Sequence, residues 1–320
     1  MRMLKLQISE LSTFAYWYFV FFIAVIGLCV GSFANVVILR GLSGESIVFP
    51  PSKCPKCSNK LKWYHNIPIF SYLFLRGKCA FCKEKISIQY PIVELMCSIL
   101  FVFSFINYGL TLQTLFTCLM LVMFVIMSMT DLKEQVILTH HAYFLAGVGL
   151  IYNFINNEFL LPVLGIIVGF CTMEALARMG EILLGKRAFG EGDSYIGGAI
   201  GAIIGWKFFL YSLVIAIAVQ TFLILPIFLF RLIKAKQYPL LASLLLFTLS
   251  AVSLLPLRGN ISVLYYVILT LMLILAFITI KLIFSNIQKA QIQAIPFGPA
   301  MLIGAFIIMF FYNNLTAFIK

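Results

Sequence analysis

Long uninterrupted apolar runs decide what this chain can fold into. Stretches of about twenty residues with almost no charge recur along its length, separated by short polar breaks. Wound as an α-helix, such a run matches the ~30 Å hydrocarbon core of a bilayer. A membrane β-barrel would show shorter segments of alternating polarity, and these runs do not alternate. Composition agrees: of 320 residues, 62% are hydrophobic and 11% charged, with mean hydropathy +1.06. That leaves too little polar surface for a water-soluble domain. The expected fold class is an all-α polytopic membrane protein.

The first run, about Tyr16 to Leu39, is too long for a signal-peptide core and reads as a retained anchor. Residues 40–90 form the one long polar segment. They carry nine basic residues (Arg40, Lys53, Lys56, Lys60, Lys62, Arg76, Lys78, Lys83, Lys85) against two acids, Glu45 and Glu84. That asymmetry places the segment in the cytoplasm and the N-terminus outside. The formal charge of +12 follows the same positive-inside pattern, so no nucleic-acid partner is expected. Further spans follow at about Pro91 to Ile106, Thr111 to Thr130, Thr139 to Asn156 and Leu161 to Leu184. Ser194 to Gly205 is rich in Gly and Ala and short for a full crossing. A seventh span runs to the basic stretch Arg231 to Lys236. Two more follow at about Tyr238 to Leu257 and Ile261 to Phe284, and a last begins after Pro296-Phe297-Gly298-Pro299. About ten transmembrane helices result, with parts at 1–39, 40–90 and 91–320. Most basic breaks fall on the cytoplasmic side; the lone Arg258 does not.

The cysteines divide into two classes. Cys29, Cys97, Cys118 and Cys171 lie singly in apolar runs, where Cys acts as a small hydrophobe. Cys54-Pro55-Lys56-Cys57 and Cys79-Ala80-Phe81-Cys82 form two C-x-x-C knuckles with 21 residues between them. Four thiolates in this pattern suit a closed tetrahedral structural zinc site, whereas disulfides are disfavoured in a reducing cytoplasm. A loop of about fifty residues is too short to bury a strong core unaided, and a metal would solve that. His65 reads as a surface or packing histidine rather than a ligand.

Acids inside such a chain are functional candidates. Asp131 ends one apolar run, and Asp193 lies in Gly190-Glu191-Gly192-Asp193 between two others. Both fall on the cytoplasmic side by span parity, and two carboxylates at one face of a bundle point to acid–base hydrolysis. Glu94 stands near the start of a helix, where its charge favours the positive dipole end. Glu174 reads as a hydrogen-bond partner for a neighbouring helix.

Several motifs together resemble the type IV prepilin peptidases, bifunctional leader peptidases and N-methyltransferases. Gly31-Ser32-Phe33-Ala34-Asn35-Val36-Val37 is similar to that family's first-helix motif. Cys54 to Glu94 resembles its cytoplasmic domain, Asp131-Leu132 and Gly190 to Asp193 its two aspartate motifs, and Pro296 to Pro299 its last-helix signature. Tyr195 stands where the family usually has Lys, Ile137-Leu138 where Ile-Pro is common, and the pair of spans from Tyr238 to Phe284 looks like an insertion.

The resemblance implies an aspartyl endopeptidase of a bacterial inner membrane, with Asp131 and Asp193 catalytic. Two carboxylates held close share one proton. The ionised member would activate water while the protonated one polarises the scissile carbonyl. Substrates would be type IV prepilins or pseudopilins, lying partly in membrane lipid with a basic leader in the cytoplasm. The resemblance also implies N-methylation of the new N-terminal residue by S-adenosylmethionine. No glycine-rich methyltransferase loop is present, and Glu94 is a candidate for that site. Two other classes stand beside this reading. A proton-coupled transporter would place its acids near mid-bilayer, often in repeated halves. A secretion-machinery scaffold would explain the cysteines but not the aspartates.

Overall fold

The structure, a computed structural model, describes residues 13–156, 158–184, 187, 189–234, 238–254 and 296–319, with 267, 268, 270–275 and 278. Within these it is helical: α1 Thr13–Ser43, α2 Phe70–Phe74, α3 Gln89–Tyr108, α4 Leu112–Glu134, α5 Thr139–Ile155, α6 Leu160–Leu184, α7 Glu191–Lys234, α8 Tyr238–Leu254 and α9 Gly298–Ile319. Among the described residues, five helices are long and apolar enough to cross a membrane: Ala15–Ser43, Gln89–Tyr108, Leu112–Glu134, Leu160–Ile182 and Glu191–Leu223. The chain is therefore a multi-pass membrane protein. The expected N-terminal tail, most of the span Ile261 to Phe284 and Arg258 lie outside the described residues.

One compact unit comprises Met1–Ala216 with Pro296–Lys320. In it α4 contacts α1, α3, α5 and α9, and it is the most enclosed of the five spanning helices. Its ends are set locally. Thr111 caps the start by accepting the Thr114 N–H at 3.3 Å, and Gln135 ends the helix in the left-handed region at φ 55°. The sequence expectation stopped this helix at Thr130. Leu132, Lys133 and Glu134 are good helix formers, so it continues past Asp131 and places that residue on a helix face. A second unit, Ile217–Ile295, holds the rest of α7 and α8.

Close backbone approaches join the helices of the first unit. A Cβ on Gly31 would stand 2.6 Å from the Glu94 Cα, which seats α1 against α3. Gly165 faces Gly201 and Gly169 faces Gly197 backbone to backbone, a small-residue crossing of α6 and α7.

Within α7 the backbone leaves the helical region at Gly205, φ 78° and ψ 167°, a conformation that glycine tolerates. A straight helix would carry Ser212 about 24 Å beyond Ile196. Yet Gly298 lies against Ile196, and Gly304, about 9 Å further along α9, lies against Ser212. Both contacts hold only if α7 bends sharply at Gly205. Residues 191–204 are thus a short segment of about 21 Å, matching the expected short stretch ending at Gly205. No separate loop follows it. The break frees the carbonyls of Ala202 and Ile203, and the Asn153 side-chain amide donates to both, at 2.9 and 3.1 Å.

Candidate functional site

The structure brings Asp131 and Asp193 together. Asp131 sits in the last turn of α4 and Asp193 in the first turn of α7; they are 4% and 6% exposed. Each is held by a glycine backbone N–H. Gly298 donates to Asp131 Oδ2 at 3.0 Å, and Gly190 donates to Asp193 Oδ2 at 3.0 Å. The carboxyls lie within electrostatic reach of each other. Asp193 Oδ1 is buried with no protein partner, so it is free to face a water or a second carboxyl.

The surrounding segments converge for identifiable reasons. A Cβ on Gly298 would stand 2.5 Å from Asp131 Oδ2 and 3.2 Å from Ile196 Cδ1. Only glycine lets this backbone touch both aspartate-bearing helices. A Cβ on Gly192 would stand 2.5 Å from the Ile137 Cβ, so Gly192 admits the α4–α5 connection. The Phe189 and Phe297 rings pack at 4.9 Å, joining the loop before Asp193 to the segment before α9.

Charged side chains brace the same loop. Arg187 donates to Glu174 Oε2 at 2.7 Å and to Glu191 Oε1 at 2.9 Å. Ser194, next to Asp193, donates to Glu174 Oε2 at 3.2 Å, and Arg178 closes on Oε1 at 2.9 Å. Glu174 therefore reaches a neighbouring helix, as expected, but its partners include the residue beside an aspartate. Sequence reasoning missed this brace. Arg187 stands in a basic break between two apolar runs, and only its spacing of thirteen residues from Glu174 hints at a return contact. Tyr195 packs between Tyr143 and Phe170, at 5.6 Å from each ring.

The cysteine loop builds a second centre. The sulfurs of Cys54, Cys57, Cys79 and Cys82 all lie within 4.8 Å of one another, and none is in a disulfide. The two knuckles repeat one geometry. Ser58 N–H bonds the Cys54 carbonyl and Lys83 N–H the Cys79 carbonyl, at 2.9 and 3.1 Å. Ser58 and Lys83 both have positive φ, and bridges Lys53–Lys60 and Lys78–Lys85 close the two turns. The Cys54–Cys82 sulfur separation of 3.9 Å is near the ~3.8 Å expected for thiolates on a tetrahedral zinc. Backbone N–H groups of Cys82 and Phe81 pull the Cys79 thiol below its usual range, while burial and the neighbouring thiols push its partner Cys82 up, so the clustered sulfurs share their protons. The cluster fits a metal ion. His65 stays outside it, packed on Tyr64 and Phe81.

Glu94 is not part of the aspartate pair. It is 6% exposed and accepts the Ile69 N–H at 2.7 Å, with the Ser32 hydroxyl beside it. Ile69 is held at φ 60°, unusual for a β-branched residue. The carboxylate thus anchors the polar loop to α3.

Comparison with known proteins adds relatives. Residues 25–108 match the bacterial peptidase A24 N-terminal domain, and residues 118–225 match the type IV leader peptidase family. A prepilin leader peptidase/N-methyltransferase of Neisseria gonorrhoeae is 35% identical over 225 residues, 62% of this chain and 77% of that protein. One from Myxococcus xanthus is 35% identical over 200 residues, 62% of this chain and 60% of that protein. One from Pseudomonas putida is 31% identical over 216 residues, 59% of this chain and 74% of that protein. No solved structure matches.

Proposed function

The chain belongs to the type IV leader peptidase family, and from that premise we propose that it is a membrane-embedded aspartyl endopeptidase acting through Asp131 and Asp193. Its substrates are prepilins or pseudopilins, whose leader it removes. The observation that carries the reading is the buried pair, each member with one oxygen held by a glycine N–H. Those bonds fix the carboxyl orientations before substrate arrives. The ionised member of the pair accepts a proton from an attacking water, while the protonated member donates to the scissile carbonyl. As the tetrahedral intermediate collapses, the departing amine takes a proton from the pair. The glycines beside both carboxyls leave room for substrate backbone.

The active face is cytoplasmic, in a bacterial inner membrane. α3 leaves the basic cysteine loop and α4 returns, which supports placing Asp131 on the loop's side. Ten crossings, with 40–90 and 91–320 as separate domains, complete the reading, and the bend at Gly205 supports counting α7 as two of them. Zinc in the four-cysteine cluster is structural, since four thiolates fill its coordination. It would stabilise the loop without entering the reaction.

The second activity is N-methylation of the newly freed amine with S-adenosylmethionine. It rests on the names of the relatives and on the loop they share with this chain; no residue is assigned to the donor. The deciding experiment incubates purified protein with a prepilin and resolves the two products by mass. Absence of leader removal would refute the peptidase reading. A transporter or scaffold would give that result.

A further inference from the structure

The aspartate and cysteine centres leave one surface of the polar loop unexplained. Residues 63–74 expose apolar side chains in a segment expected to face water. Trp63 is 79% and Phe74 84% exposed, with Phe70 and Leu73 also open. Trp63 lies in a short 3-10 turn that contacts α2, so these side chains share one small region. Lys62 and Arg76 flank it, and six more exposed lysines stand on the adjoining knuckles: Lys53, Lys56, Lys60, Lys78, Lys83 and Lys85.

Depth identifies what covers it. The Ile69 N–H, immediately before α2, reaches Glu94 Oε2 at 2.7 Å. Glu94 is five residues inside α3, about 7.5 Å along its axis, and α3 is long and apolar enough to cross a membrane. The start of α2 therefore sits level with the outer turns of a spanning helix, not out in bulk water. At that depth, aromatic side chains with basic neighbours match the headgroup boundary of an anionic leaflet.

We propose that residues 63–74 lie in the headgroup region of the leaflet on the side of the cysteine cluster. Trp63, Phe70, Leu73 and Phe74 enter it, and the surrounding lysines and Arg76 pair with anionic lipid. The surface is thus a membrane contact that fixes the cysteine loop against the bilayer. This rests on the chain spanning the membrane and is independent of the peptidase chemistry.

The chain has three tryptophans, so W17F/W206F leaves Trp63 as the sole indole reporter. The full-length variant is reconstituted into phosphatidylethanolamine/phosphatidylglycerol vesicles with bromine on the lipid chains. Trp63 emission should fall about twofold against unbrominated vesicles, as for an indole at the headgroup boundary. Pure phosphatidylcholine should weaken the effect. Adding F70S/L73S/F74S should remove the quenching while metal content stays unchanged, which separates lost docking from an unfolded loop. Unquenched Trp63 in the anionic vesicles would overturn the proposal and leave the surface to a protein partner. Equal quenching in both lipids would overturn the anionic contact.

Discussion

At the scale of single residues, the site is governed by what lies against each carboxyl. Asp131→Asn or Asp193→Asn should lower leader cleavage by at least about 10³-fold while the protein still inserts and folds. Substantial cleavage by either purified variant would end the aspartyl mechanism. Gly298→Ala tests positioning separately from proton transfer, because its new methyl meets Asp131 Oδ2 and Ile196. Cleavage should drop about ten- to a hundredfold, with both carboxyls still present. Wild-type rates in that variant would show that the backbone contact is dispensable. The two aspartates were legible in the sequence because Asp131 closes an apolar run and Asp193 stands in a short polar break between two others. Glu174 and Arg187 were not, because thirteen residues of helix end and loop separate them. Only the return of the chain pairs them with each other and Glu174 with Ser194.

At the scale of elements, the informative cases are those where backbone groups lose their ordinary partners. The break at Gly205 strands the carbonyls of two buried residues, and one amide serves both. Asn153→Ala should therefore destabilise the bundle by about 1–3 kcal/mol, read as a lower unfolding midpoint in detergent, while Asn153→Gln should recover part of it. An unchanged midpoint in the alanine variant would mean that the carbonyls find other donors. The short segment itself was visible from its Gly and Ala content. Its direct continuation into the next helix was not, since nothing local says the helix resumes at once. The spacing of the knuckles was legible in full because C-x-x-C turns are local. The anchoring of their loop by Glu94 was not, because it needs Ile69 brought 25 residues back onto α3.

At the scale of the whole molecule, the question is how far the two centres depend on each other. The cysteine loop is built from local turns, and the aspartates belong to α4 and α7, which pack on α5, α6 and α9 as well as on α1 and α3. Replacing all four thiolates by Ser should release the metal and unfold the loop, since little apolar core remains to hold it. Acidification should act in the same direction: thiolates gain protons as pH falls, so metal is lost on the acid side and retained above it. Metal analysis across pH checks that sign. In the four-serine protein, methyl incorporation should fall severely and leader removal less, measured on one prepilin substrate. The aspartates keep their glycine N–H partners, while the loop loses its fold. The Ile69–Glu94 bond couples the loop to α3, and α3 packs on α4, so some loss of cleavage is expected through that route. Equal loss of both activities would make the loop part of the peptidase itself, and full retention of methylation would move that chemistry into the helical bundle.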